Sequence, residues 1–232
     1  MREVIVVRHQ PNVPLAALEP GLEGVPWRYV DAWTDPEWPD VDDIAGLVVL
    51  GGKMSALQDD EYPFLKQVRE LMTSALERDV PVLGSCLGSQ LLAQVAGGTV
   101  YRMDKPEVGF VELDLTPVGR SDAIASPVGG LERVLVWHED SYELPASVEV
   151  LASSALAPNQ AFRVGSAYGI QFHVEATERE IAGWADETDP AELSDWWGVD
   201  KETVLAAAER YLPAQRKAAA AVARAFVGLV SA

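Results

Sequence analysis

The sequence contains few cysteines and few basic residues, and each scarcity excludes a class of protein. Only one of its 232 residues is a cysteine, Cys86, which excludes a disulfide-stapled secreted scaffold and favours the reducing cytoplasm. Lysine and arginine total 18 against 36 acidic residues, so the formal net charge is −18. Nucleic acids and anionic membranes bind basic surfaces, and we therefore expect neither as a partner.

Long hydrophobic runs are missing as well. The apolar run at residues 4–7 is too short for the core of a signal peptide or for a membrane span, and no run approaches 18 apolar residues. Apolar residues still make up 48% of the chain, enough to bury a large core. These observations predict a folded cytoplasmic protein.

Short apolar runs rich in β-branched residues alternate with helical patterns in much of the chain. The runs that we predict to be buried parallel strands are residues 4–7, 47–50, 80–83 and 134–136. Apolar residues recur at helical spacing over 64–76, and a second helix is predicted over 89–96, before a Gly-Gly stop. This alternation predicts an α/β fold with a mostly parallel central sheet and flanking helices.

The pattern changes in the second half of the chain. Short strands and turns are predicted over 99–173, with a last strand at 168–173. Residues 176–202 then hold nine acidic and two basic side chains together with three tryptophans, and a final helix follows. We divide the chain into an α/β domain, residues 1–176, and a helical C-terminal extension, residues 177–232, packed on the same domain.

The single cysteine lies in a pattern typical of a nucleophile. A predicted strand leads into residues 84–88 (GSCLG) and then into a helix, the order found in a nucleophile elbow. The turn is sharp, so the neighbours of Cys86 need to lack side chains. The N-terminus of the following helix would stabilise a thiolate. A buried structural cysteine is the alternative, and the order of strand, glycines and helix favours the nucleophile.

A base for this thiol has to come from three histidines, His9, His138 and His173. Glu175 follows His173 by two residues, and alternate residues of an extended chain point to the same side. The imidazole can then take a proton while the carboxylate orients the ring. We therefore predict Cys86, His173 and Glu175 as nucleophile, base and orienting carboxylate. A surface histidine beside an unrelated glutamate is the alternative for this segment alone.

A third segment, residues 47–55 (LVVLGGKMS), is a buried strand that ends in two glycines. Such a loop brings backbone N–H groups close to a reacting carbonyl. We predict that the N–H groups of Gly52 and Leu87 form an oxyanion hole, the alternative being an ordinary turn. Residues 138–140 (HED) do not predict a metal site, because neighbours on a strand point to opposite faces and no further His or Cys cluster is present. We expect no metal and no cofactor.

Together these segments resemble the class I glutamine amidotransferases, over about residues 3–176. Residues 84–90 (GSCLGSQ) are similar to the Gly-x-Cys-x-Gly-x-Gln elbow of that family, and residues 171–175 (QFHVE) to its Gln-Phe-His-Pro-Glu strand. Residues 51–52 fall where the family has its oxyanion strand. Residues 137–140 (WHED) resemble a Trp-His-Gly-Asp segment of free-standing members.

The resemblance implies a three-layer, flavodoxin-like α/β fold and the same triad roles. It further implies that Gln90 contacts bound glutamine and that residues near the bound amino acid include His138, Glu139 and Asp140. This sequence departs from the usual pattern at Ser89, Val174 and Glu139, where the family has histidine, proline and glycine. None of the three is a triad position, so the departures affect the substrate more than the chemistry.

The resemblance implies hydrolysis of the γ-amide of glutamine through a γ-glutamyl thioester on Cys86. Ammonia would pass to a separate synthetase, since no ATP-binding segment is visible in this chain. A second hypothesis is a free-standing γ-glutamyl peptidase or hydrolase acting on γ-glutamyl amides. A third is a catalytically silent binding module, against which the complete set of Cys86, His173 and Glu175 argues.

Overall fold

A computed structural model describes residues 2–231 and contains a central eight-stranded sheet with helices on both faces. The strands are β1 (Glu3–Arg8), β2 (Trp27–Asp31), β3 (Ile44–Val49), β4 (Val82–Ser85), β5 (Thr99–Val111), β6 (Asp114–Leu115), β7 (Val134–Glu143), β8 (Glu149–Ser153), β9 (Ala161–Val164) and β10 (Ala167–Ile170). The helices are α1 (Phe64–Glu77), α2 (Leu87–Val95), α3 (Glu178–Glu187) and α4 (Lys201–Val230), with a π-helical turn at Glu192–Trp196. The predicted three-layer α/β fold is confirmed.

The central sheet has the strand order β2-β1-β3-β4-β10-β9-β8-β6. The strands from β2 to β10 in this order run parallel, whereas β9, β8 and β6 extend the sheet in antiparallel pairing. The predicted strands at residues 4–7, 47–50 and 80–83 correspond to β1, β3 and β4. The sheet is therefore mostly parallel near its first strands and becomes antiparallel at one edge.

One predicted strand was assigned to the wrong sheet. Residues 134–136 begin β7, which pairs with β5 in a separate antiparallel two-stranded sheet. All three residues are buried in the core that also holds the apolar face of α4. An apolar run reports burial of a strand but not its partner or direction, and this explains the error.

Two apolar cores lie on opposite faces of the central sheet. Val4 and Val6 of β1 face the core that includes Phe226 of α4, whereas Ile5 and Val7 face the core of α1 and α2. This alternation follows from the two-residue period of a strand. Within residues 2–231, no helix combines the length and apolar composition that crossing a membrane requires.

The turn between β4 and α2 depends on close backbone packing. A side-chain carbon on Gly84 would lie 2.5 Å from the carbonyl oxygen of Gly88, and one on Gly88 would lie 2.0 Å from the carbonyl oxygen of Val49. The helix α2 can therefore begin directly against β3 and β4 only because these positions lack side chains. At its other end Gly97 has φ +86°, in keeping with the predicted glycine stop.

We expect Gly88→Ala to lower the free energy of unfolding by about 1–3 kcal/mol or more, because the new methyl group would overlap rigid backbone. Gly183→Ala in α3 is the matched control, since nothing lies within 4 Å of its new carbon. That substitution should be neutral or stabilising by up to about 1 kcal/mol. Urea unfolding of the two variants measures the difference, and equal stabilities would contradict the packing argument.

Candidate active site

Cys86 occupies a strained turn at the carboxyl end of β4. Its backbone has φ 50° and ψ −110°, a conformation that residues with side chains rarely adopt. The Cys86 N–H donates to the Ile170 carbonyl at 2.8 Å, and the Cys86 carbonyl accepts from the Ser89 N–H at 2.9 Å and the Ser89 hydroxyl at 2.7 Å. These bonds fix both peptide groups of the turn and hold the cysteine at the start of α2.

His173 and Glu175 meet in the segment that follows β10. The predicted strand at 168–173 ends at Ile170, so both residues lie in irregular backbone beyond it. The His173 Nδ1–H donates to Glu175 Oε1 at 2.7 Å, and the Ser85 hydroxyl donates to the same carboxylate at 3.1 Å. Glu175 is buried with only 1% of its surface exposed. The carboxylate is thus held from two sides.

The other ring nitrogen of His173, Nε2, has no hydrogen-bond partner among residues 2–231, and His173 lines the same cavity as Cys86. Burial acts to lower the pKa of His173, but the negative charges of Cys86 and Glu175 outweigh it and raise this pKa well above its ordinary value. The electrostatics therefore favour a protonated imidazole beside a thiolate.

The Gly51-Gly52 loop lies beside both side chains. A side-chain carbon on Gly51 would be 3.4 Å from Cys86 Cβ and from His173 Cε1, and one on Gly52 would be 3.1 Å from Leu87 Cδ2. Within residues 2–231, no acceptor binds the backbone N–H of Gly52 or that of Leu87. The structure therefore brings the two N–H groups of the predicted oxyanion hole to the same side of the cavity wall that Cys86 lines.

A buried histidine that the motifs did not indicate supports this loop. His9 is fully buried, and its Nδ1 lies 3.1 Å from the Leu50 carbonyl and 3.2 Å from the Gly51 carbonyl, to which it donates. Burial lowers the pKa of His9 to about 4, although the two carbonyl contacts act in the opposite direction. His9 is therefore neutral at pH 7. Nothing in its local sequence pattern indicates this position.

The four predicted substrate-binding residues all line one cavity of about 900 Å³ that also contains Cys86 and His173; they are Gln90, His138, Glu139 and Asp140. The Gln90 amide donates to the Asp140 carbonyl at 3.3 Å. His138 places Nδ1 3.0 Å from the same carbonyl and Nε2 3.2 Å from Glu107 Oε2. Gln90 and His138 thus brace the cavity wall. Within residues 2–231, no cluster of three or more His, Cys, Asp or Glu side chains is arranged to hold a metal ion.

Tryptophans of the C-terminal extension form another wall of this cavity. The Trp184 ring lies 4.8 Å from the His173 ring, and Trp197 lies 5.5 Å from Trp137. The indole N–H groups of Trp196 and Trp197 both donate to Glu139 Oε1 at 3.1 Å. The composition of residues 176–202 marked the segment as unusual, but no local signal indicated that it covers the site.

Comparison with known proteins gives the class to which this fold and site belong. The family model for glutamine amidotransferase class-I matches residues 21–182. The chain therefore belongs to the class I glutamine amidotransferase family, and the resemblance seen in its motifs is confirmed.

Individual relatives match parts of the chain. The glutamine amidotransferase-like protein YfeJ of Salmonella typhimurium is 32% identical over 149 residues, 62% of each chain. The glutamine-hydrolyzing GMP synthase of Helicobacter pylori (strain HPAG1) is 33% identical over 141 residues, 60% of this chain and 25% of that protein. The chain thus spans less than two thirds of these relatives.

A solved structure matches the whole chain. The glutamine amidotransferase from Thermotoga maritima has a TM-score of 0.85 and 27% sequence identity, and the match covers 100% of this chain and 99% of that one. The similarity therefore includes the region of the C-terminal extension.

The low pKa of His9 predicts acid sensitivity. The unfolded chain binds a proton on this residue near pH 6.5, whereas the folded chain binds it only near pH 4. The stability due to neutral His9 is therefore complete above pH 6.5 and is lost as the pH falls towards 4, by about 3 kcal/mol in total. Urea unfolding at pH 7 and pH 4 should show a smaller loss for His9→Asn than for the wild type. Parallel losses would contradict this account of His9.

Proposed function

We propose that Cys86, His173 and Glu175 form a catalytic triad that hydrolyses the γ-amide of glutamine or of a related γ-glutamyl compound. The observation that carries the proposal is the hydrogen-bond arrangement of His173. Its Nδ1–H is held by buried Glu175, while its free Nε2 faces the cavity that Cys86 lines. This arrangement suits a base that exchanges protons with a thiol and a leaving group.

In the proposed first step, the Cys86 thiolate attacks the γ-carbonyl carbon. The oxygen becomes an oxyanion and accepts hydrogen bonds from the N–H groups of Gly52 and Leu87. The imidazolium of His173 then donates its Nε2 proton to the amide nitrogen, the C–N bond breaks, and ammonia or an amine leaves. A γ-glutamyl thioester remains on the sulfur.

In the second step, water attacks the thioester carbonyl while His173 Nε2 takes a proton from it. Collapse of the tetrahedral intermediate breaks the C–S bond and releases glutamate, which regenerates the thiolate and the imidazolium. Glutamine and water thus give glutamate and ammonia. The raised pKa of His173 supports this cycle, because the ring stays protonated while the thiolate waits for substrate.

We propose that the wall containing Gln90 and residues 138–140 binds the amino-acid end of the substrate. Asp140 and Glu139 offer carboxylates suited to an α-ammonium group, and Arg102, which pairs with both, offers a cation near an α-carboxylate. Gln90 and His138 act mainly by keeping this wall in place, since their polar atoms already have protein partners.

The ammonia acceptor is proposed to be a separate synthetase subunit in the cytoplasm. The similarity to proteins named as glutamine-hydrolyzing subunits of GMP synthase supports this assignment. One of them, from Saccharolobus solfataricus, is 38% identical over 130 residues, 52% of this chain and 66% of that protein.

A free-standing γ-glutamyl hydrolase is the second candidate. The cavity of about 900 Å³ favours it, since pockets near the upper end of the ~300–1,000 Å³ range hold ligands larger than glutamine.

A product assay on glutamine and on a panel of γ-glutamyl amides tests the proposed chemistry. Cys86→Ser should keep the fold and lose at least about a thousandfold in turnover, because a serine hydroxyl is a far weaker nucleophile here. Glu175→Ala should lose less, because this carboxylate orients the base without exchanging protons with the substrate. Wild-type turnover by Cys86→Ser would exclude the triad, and ligand binding without turnover in any form would favour the silent binding module.

A further inference from the structure

A chain of hydrogen bonds connects the Gly51-Gly52 loop to the C-terminal extension. The Lys53 N–H donates to Gln10 Oε1 at 2.8 Å, and Gln10 Nε2 donates to Asn12 Oδ1 at 2.5 Å. Asn12 Nδ2 then donates to Glu187 Oε1 at 2.8 Å. The chain begins one residue after Gly52 and ends on the last residue of α3.

The two ends of this chain determine the direction of every bond in it. A backbone N–H can only donate, so Gln10 has to present its oxygen to Lys53 and its NH₂ group to Asn12. A carboxylate can only accept, so Asn12 has to present its NH₂ group to Glu187. Both amides are therefore fully specified, and the loop and α3 are linked in one orientation.

Further contacts hold the middle of the chain in place. Pro11 restricts the backbone between the two amide residues. The Trp184 indole N–H also reaches the backbone carbonyl of Asn12 at 3.4 Å, and the same ring packs against His173. The helix α3 thus contacts Asn12 through two side chains, one of which also touches the proposed base.

The extension is anchored on the other side of the cavity as well. Glu139 of β7 accepts from both Trp196 and Trp197 and pairs with Arg102 at 2.6 Å. The segment from α3 to Trp197 is therefore tied at Asn12 and at Glu139. A segment fixed at both ends can hold the Gly51-Gly52 loop from α3.

We propose that Gln10 and Asn12 are positioning residues for the oxyanion hole, anchored on the C-terminal extension by Glu187. They hold the Lys53 peptide and thereby set the direction of the preceding Gly52 N–H. The proposal rests on the function proposed above for Gly52. It means that the chain's own extension, and not a separate synthetase, orders this loop. Misplacement of the N–H should then lower kcat more than it raises KM.

A pair of isosteric substitutions tests the chain. Asn12→Asp places two carboxylates against each other at positions 12 and 187 and breaks the link to α3. Adding Glu187→Gln reverses the link, because the new amide can donate to the new carboxylate. Asn12→Asp with Asp186→Asn is the matched control, since it has the same net charge but alters a neighbour that pairs with Lys201 instead.

Two measurements are made on each variant: hydrogen exchange of the Lys53 amide by NMR, and kcat and KM with the substrate found in the product assay. Asn12→Asp should speed exchange about tenfold and lower kcat about tenfold, with KM within about twofold. Adding Glu187→Gln should restore exchange and kcat to within about twofold of the wild type, whereas adding Asp186→Asn should restore neither. Gln10→Ala, which removes the acceptor of the Lys53 N–H, calibrates the fastest exchange.

Unchanged Lys53 exchange in Asn12→Asp would overturn the proposal, and so would equal restoration by Glu187→Gln and Asp186→Asn, which would indicate charge alone. If the wild type turns over no substrate, the proposed hydrolase function fails. The exchange measurement still decides whether the chain of hydrogen bonds holds the loop, so the two failures are distinguishable.

Discussion

The strained backbone of Cys86 is the constraint on which the other features of the site depend. A residue with φ 50° stays in that conformation only if its surroundings hold it, and here the Ile170 carbonyl and the first turn of α2 do so. The register of β4 against β10, with Ser85 opposite Ile170, brings that carbonyl into place. The close approach of α2 to β3 then requires Gly88. The central parallel strands thus act together to present one sulfur atom.

The same strand pairing determines where the histidine lies. Because β10 ends at Ile170, the next residues leave the sheet beside Cys86, and His173 is reached three positions later. Ser85, the neighbour of the cysteine, donates to Glu175, so the turn and the carboxylate are directly connected. From the far side of the sheet, Gln215 of α4 accepts from the Leu135 N–H and donates to the His173 carbonyl, each at 2.9 Å. The long terminal helix therefore also supports the segment that carries the base.

Local patterns predicted the parts of the site that depend on neighbouring residues in sequence. The glycines beside Cys86 indicated its turn, and the two-residue spacing of His173 and Glu175 predicted that their side chains can meet, although the strand ends earlier than expected. Parts that depend on distant contacts had no such signal. The pairing of β7 with β5 was missed for this reason, and so were the supporting roles of His9 and Gln215. Their environments are created by strands and helices far away in the chain, which a short window of sequence does not contain.

The central claim is that Cys86 is a nucleophile in a site shaped for a γ-glutamyl group. Covalent labelling by a glutamine analogue that carries an electrophile at its γ-position tests this claim most directly, read by intact mass and peptide mapping. The account predicts one adduct, on Cys86, that slows when substrate competes and is absent from Cys86→Ser. The opposite result is a protein that forms no adduct on Cys86 under any substrate or partner condition, yet binds its ligand unchanged after Cys86→Ser. That result would contradict the account.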